Sequence, residues 1–112
     1  EAARKVVANY TAAPRKYLSP KKIIKAVSDF YDITEKEIVH HSRKKDVVRP
    51  RQIAMYLMRE NLKTSYPSIG DKFGGRDHTT VIHSCGKVAQ DLLTNPELEE
   101  ELKAIKERIF LS

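Results

Sequence analysis

Residues 74–83, Gly-Gly-Arg-Asp-His-Thr-Thr-Val-Ile-His, hold the side chains of this chain whose types and spacing best suit recognition chemistry. Two glycines break the backbone, and Asp77, His78, Thr79 and Thr80 then open a run of helical apolar spacing. The amides of a first helical turn are free to meet an anion. Short polar side chains at that position reach base edges without long flexible arms: Asp77 can accept from a cytosine amine, His78 can donate or accept, and the Thr79 methyl can pack on a thymine methyl. The simpler reading makes Asp77 an ordinary N-cap and the two threonines exposed surface residues.

A second feature favours the nucleic-acid reading. The 112-residue chain carries a formal net charge of +6, which points to a polyanionic partner. Within residues 40–60, six basic residues (Arg43, Lys44, Lys45, Arg49, Arg51 and Arg59) face Asp46 and Glu60, a net +4, while the rest of the chain is nearly balanced. A charge run alone is most often solvated surface. A basic segment one helix away from the Gly-Gly cluster is the more telling combination.

Other chemistries fit poorly. Cys85 is the single cysteine, so it cannot form an internal disulfide and fits a reducing compartment. It lies on an apolar stripe between Val81 and Val88, where it reads as a small core residue rather than a nucleophile, and His83 points elsewhere on the helix. Among His40, His41, His78 and His83 no pair has the four-residue helical spacing of zinc-binding histidines. No site residue is therefore expected to be catalytic or to bind metal. No apolar run approaches the roughly 18 residues of a membrane span. No signal peptide is evident, and the start at Glu1 is expected to mark a piece of a larger protein. Residues 1–16 are weighed as a weakly basic amphipathic helix near acidic phospholipids.

The elements that must position these residues are all helices. Residues 2–10 are expected to form a helix (Ala2, Val6, Val7, Tyr10), followed by a linker over Thr11–Ser19. Ser19 then caps a helix with Pro20 at its first position and apolar Ile23, Ile24, Val27, Phe30 and Tyr31. Thr34 and Glu37 form a capping box, with Ile33 and Ile38 as its hydrophobic staple, and that short helix ends near Val39. His40–Val48 has neither helical nor strand period and reads as an exposed loop. Pro50 starts a longer helix with the stripe Ile53, Ala54, Leu57, Met58 and Leu62. Pro67 and Ser68 open a short helix through Phe73, and Val81, Ile82, Cys85, Val88, Ala89, Leu92 and Leu93 mark one face of a helix from about Asp77 to Leu93. Asn95 and Pro96 cap a last helix with the stripe Leu98, Leu102, Ile105 and Ile109. The expected fold is all-α, a bundle of about six helices. A short helix, a Gly-Gly turn and a longer amphipathic helix make a helix-turn-helix, whose second helix enters the major groove.

The string at 74–83 resembles the signature of the bacterial chromosomal replication initiator family, DnaA. Arg49-Pro50-Arg51-Gln52-Ile53-Ala54-Met55-Tyr56-Leu57 is similar to that family's helix after its basic loop, and Tyr66-Pro67-Ser68-Ile69-Gly70-Asp71 to its leucine-proline-x-isoleucine-glycine segment, with Tyr66 in place of leucine. The resemblance covers roughly Ser19 to Phe110. It implies a Trp-repressor-like helix-turn-helix DNA-binding domain over 19–112, with 1–18 as the end of an ATPase region and a connecting helix. By this resemblance Arg43 enters the minor groove, and Asp77, His78 and Thr79 read the major groove. Tyr66 and Pro67 meet thymine methyls, and Lys44, Lys45, Arg51, Gln52, Arg59 and Thr80 hold phosphates, with Asp46 weakening that attraction locally. The implied target is the DnaA box of a replication origin, bound as double-stranded DNA in the cytoplasm at the nucleoid. ATP, magnesium and contacts with other initiator copies belong by resemblance to the full-length protein. No Gly-x-x-x-x-Gly-Lys loop is present here. The same domain on another DNA-processing protein, such as a mobile-element enzyme, is the alternative within DNA binding.

Overall fold

The computed structural model describes residues 18–40 and 44–111. The expected helix over 2–10, its linker up to residue 17, the lipid contact expected of residues 1–16, and Arg43, expected in the minor groove, lie outside the described residues. Six helices follow in order: α1 (Pro20–Tyr31), α2 (Glu35–Val39), α3 (Lys45–Leu62), α4 (Tyr66–Lys72), α5 (His78–Leu92) and α6 (Pro96–Leu111). No strand occurs among the described residues, and the fold is all-α as expected.

Local signals set most helix starts. The Ser19 hydroxyl accepts from the Lys22 amide at 3.2 Å, with Pro20 at the first helical position. Thr34 and Glu37 close the capping box: the Thr34 Oγ1 accepts from the Glu37 amide and the Glu37 carboxylate accepts from the Thr34 amide, each at 3.0 Å. The Thr34 amide, and after it the Thr34 hydroxyl donating to the same carboxylate at 3.1 Å, hold the Glu37 carboxyl below the usual carboxylate range. Ser65 caps α4 by accepting from the Ser68 amide, and Asn95 caps α6 by accepting from the Leu98 amide.

Two expectations need correction. The segment read as a loop over His40–Val48 is helical from Lys45, so Pro50 is the sixth residue of α3 rather than its first. Lys44 sits extended at the N-cap position, and its carbonyl accepts from the Val47 and Val48 amides. Pro50 forfeits one helical hydrogen bond, but the extra turn buries Val47 and Pro50 itself. The face expected to be apolar along α5 is also narrower than the sequence implied. Val81, Cys85 and Val88 are buried, whereas Ile82 is 45% exposed, Leu93 is 84% exposed, and Ala89 faces solvent.

The core is continuous through all six helices, and every expected stripe residue of α6 is buried in it: Leu98, Leu102, Ile105 and Ile109. α3 is the central element, packed against α1, α2, α4 and α5, while α6 packs on α1 and α5. Side-chain polar links between helices add to this packing. The Tyr31 hydroxyl donates to the Glu101 carboxylate at 2.6 Å, and Arg49 of α3 pairs with Asp91 near the end of α5.

Candidate nucleic-acid interface

α4 and α5 form the helix-turn-helix, and the turn between them is built on one carbonyl. The Gly70 oxygen accepts from the amides of Phe73, Gly75 and Arg76 at 3.1, 3.0 and 2.9 Å. Gly74 and Gly75 follow at φ 81° and 74°, the left-handed region that glycine occupies without strain. Phe73, fully buried, and Ile69 pin the short helix to the core, and Val81 does the same for the first turn of α5. The close approach at Gly70 was not anticipated from the sequence. The motif's isoleucine-glycine pair marks it, because only a residue without Cβ admits the returning backbone.

With Val81 anchored, the preceding residues are held outward. Asp77, His78, Thr79 and Thr80 are all exposed. Asp77 stands at the N-cap of α5 in extended conformation, yet its side chain makes no capping hydrogen bond. One carboxylate oxygen lies 3.5 Å from the His78 Nδ1 instead, with both side chains more than half exposed. The simpler reading of Asp77 as a working N-cap therefore does not hold, and four adjacent polar side chains are presented to solvent at a rigid helix start.

The basic segment is rooted differently from expectation. Lys44, Lys45 and Asp46 are exposed, and Gln52 and Thr80 keep partial or full exposure. Arg51, expected among the phosphate contacts, is only 6% exposed. Its Nε donates to the Ile38 carbonyl at 2.7 Å, and its Nη2 donates to the carbonyls of Glu37 and His40 at 3.2 and 2.7 Å. A guanidinium engaged by the final carbonyls of α2 is a C-terminal cap for that helix, a structural task that the sequence reading did not assign to Arg51. Burial lowers its pKa, and the neighbouring Arg76 charge adds to the effect.

Arg76 is the functional candidate that motif reading passed over. Its Nη2 donates to the His40 carbonyl at 3.1 Å, across 36 positions of sequence, while its Nε is buried without an acceptor. Burial lowers its pKa as well. The only sequence signal is its place between the glycine turn and Asp77.

Arg59 and Tyr66 form a third group. The Arg59 guanidinium lies 4.3 Å from the Tyr66 ring centroid and donates to the Thr64 carbonyl at 3.2 Å. Tyr66 is thus half-covered on one face, whereas Pro67 beside it is exposed. The structure brings Asp77–Thr80 together on one helix start and places Lys44, Lys45 and Gln52 on the adjoining α3. No group of three His, Cys, Asp or Glu side chains suited to a metal ion occurs among the described residues. No helix among them is long and apolar enough to cross a membrane.

Residues 20–88 match the family described as bacterial dnaA protein helix-turn-helix. The chain is 40% identical over 98 residues to the chromosomal replication initiator protein DnaA of Roseiflexus castenholzii, covering 88% of this chain and 20% of that protein. Similarity is 46% identity over 81 residues with the Levilactobacillus brevis initiator (72% and 18%), and 43% over 95 residues with that of Chloroflexus aggregans (85% and 20%). The chain thus spans about a fifth of the length of these relatives.

Proposed function

The chain belongs to the bacterial dnaA protein helix-turn-helix family, and from that premise we propose that it binds double-stranded DNA at origin boxes as the recognition domain of a replication initiator. The observation that carries the reading is the exposed run Asp77–Thr80, held at the start of a helix whose opposite face is buried through Val81, Cys85 and Val88. A helix-turn-helix docks such a start in the major groove.

In this reading Asp77, His78 and Thr79 read base edges, and Pro67 meets thymine methyls beside them. Tyr66, stacked on Arg59, shapes that contact rather than making it freely. Thr80, Gln52, Lys44 and Lys45 hold phosphates, which set register and most of the salt-dependent affinity. Arg43 takes the minor groove, where a narrow A·T tract concentrates negative potential. One protomer reading both grooves suits a short asymmetric site, since a palindrome needs a two-fold dimer.

The domain itself is a binder and not a catalyst. ATP, magnesium and partner copies pertain to the portion of such an initiator beyond these residues, and nothing in the 112 supplies a phosphate loop for a nucleotide. A lipid contact would fall to residues 1–16, and work at the nucleoid would put the protein in the cytoplasm.

The test is fluorescence anisotropy with a box duplex, a scrambled duplex and single-stranded DNA, each over a salt series. The box duplex should bind tighter than the scrambled one by at least about 10³ at physiological salt. Equal affinity for all three at every salt concentration would reject sequence-specific binding.

A further inference from the structure

We propose that Arg76 is a positioning residue that fixes the end of α2, at His40, relative to the recognition helix α5, by clamping the His40 carbonyl. The inference rests on the reading that the basic segment after α2 serves the minor groove while α5 serves the major groove. Two readers on one protomer work together only if their separation is fixed, because an error of an ångström or so in either removes its hydrogen bonds.

The structure supplies that fixture at His40 and at Lys44. On one side, His40 closes α2 by donating its amide to the Lys36 carbonyl, and its own carbonyl accepts from both Arg51 and Arg76. On the other, Lys44 begins α3 as its N-cap residue. Arg51 ties His40 to α3, within the scaffold. Arg76 alone of these two belongs to the helix-turn-helix: its amide is held by the Gly70 carbonyl, and the next residue is Asp77. A fork of donors on a planar guanidinium suits this bridging, and a lysine at the same place keeps the charge without the planar fork. The Arg76 bond is therefore the direct polar link from the turn that sets α5 to the root of the basic segment.

The two grooves can be probed separately in one duplex. Replacing adenine by 2,6-diaminopurine opposite thymine adds an amine to the minor groove alone, and replacing an A·T pair by inosine·cytosine changes the major groove alone. Binding of the 112-residue chain to a box duplex carrying either change is compared for the unaltered protein, Arg76→Met and Arg76→Lys. The unaltered protein should lose about tenfold or more in affinity to each change. Arg76→Met should lose most of the diaminopurine penalty and keep the inosine penalty, and Arg76→Lys should restore part of the former. If Arg76→Met keeps both penalties, the clamp is not a positioning device. If it weakens every duplex alike and lowers the salt slope by about one, Arg76 touches phosphate directly and the inference fails. If neither substitution yields a folded protein by circular dichroism, Arg76 serves stability and the inference fails too. An unaltered protein indifferent to diaminopurine would instead reject the minor-groove reading itself.

Discussion

Gly70 and Arg76 meet backbone to backbone: the Arg76 amide donates to the Gly70 carbonyl at 2.9 Å, and a Cβ built on Gly70 would stand 2.2 Å from the Arg76 carbonyl oxygen. The turn that aims α5 is closed on this contact. Gly70→Ala drives a methyl into a backbone atom rather than a yielding side chain, so it should destabilise by about 1–3 kcal/mol or more. Urea unfolding followed by circular dichroism measures it, and an unchanged midpoint would show that the turn relaxes freely.

Arg51→Ala separates a structural guanidinium from a phosphate contact. Removing it strips the carbonyls of Glu37, Ile38 and His40 of a charged donor, a loss of roughly 3 kcal/mol. The slope of log affinity against log salt, measured on folded protein at low temperature, should stay unchanged. A slope reduced by about one unit with stability intact would return Arg51 to the phosphate set.

Thr79→Ala removes a hydroxyl and a methyl from an exposed position, so stability should hold. Discrimination between a box and a point-mutated box should fall by about 1–3 kcal/mol, with binding to scrambled DNA unchanged. Lys45→Ala should do the reverse, weakening all duplexes and lowering the salt slope by about 0.9. Titrations in which both variants altered discrimination equally would overturn this division.

Alkaline pH probes the core beneath α5. Burial pushes the Cys85 thiol up to about 11, and burial also raises the phenols of Tyr31 and Tyr56. In the unfolded chain a thiol ionises near pH 8.5. The native state thus retains a proton that the unfolded state releases. The contribution is fully present below about pH 8.5 and is lost as pH rises toward 11. Urea midpoints should fall over that window, less steeply in Cys85→Ala, and a thiol reagent at pH 8 should label only unfolded protein. Rapid labelling of the native protein would contradict the burial.

Much of this architecture was legible because its signals are local. Ser19-Pro20, Thr34 with Glu37, and Asn95 act within four residues of where they stand, and each capped its helix as read. The start of α3 was hidden, since Lys44 is no capping residue and Pro50 imitates a first helical position. The exposed helix start at Asp77–Thr80 followed from the glycines and the buried Val81. The carbonyl bonds made by Arg51 and Arg76 were not legible. Both act on carbonyls 11 or more positions away, and an arginine's charge says nothing about whether its donors face solvent or a helix end. Ile82 and Leu93 were misplaced for a related reason: α5 is covered by neighbours on a narrower arc than its apolar residues span.

The six helix starts divide unevenly across the fold. Those of α1, α2, α4 and α6 carry a side-chain cap, whereas α3 at Lys44 and α5 at Asp77 do not. A good cap contributes about 1 kcal/mol, so the free domain forgoes that stabilisation at the two helices that border the basic segment and carry the exposed polar run. In the proposed reading both uncapped starts fall on the surface offered to DNA, while the other four helix starts are capped. Selection for thermal stability alone would erase this pattern first, and a thermostabilised variant that had gained caps at positions 44 and 77 would be a sturdier fold with a blunter reader.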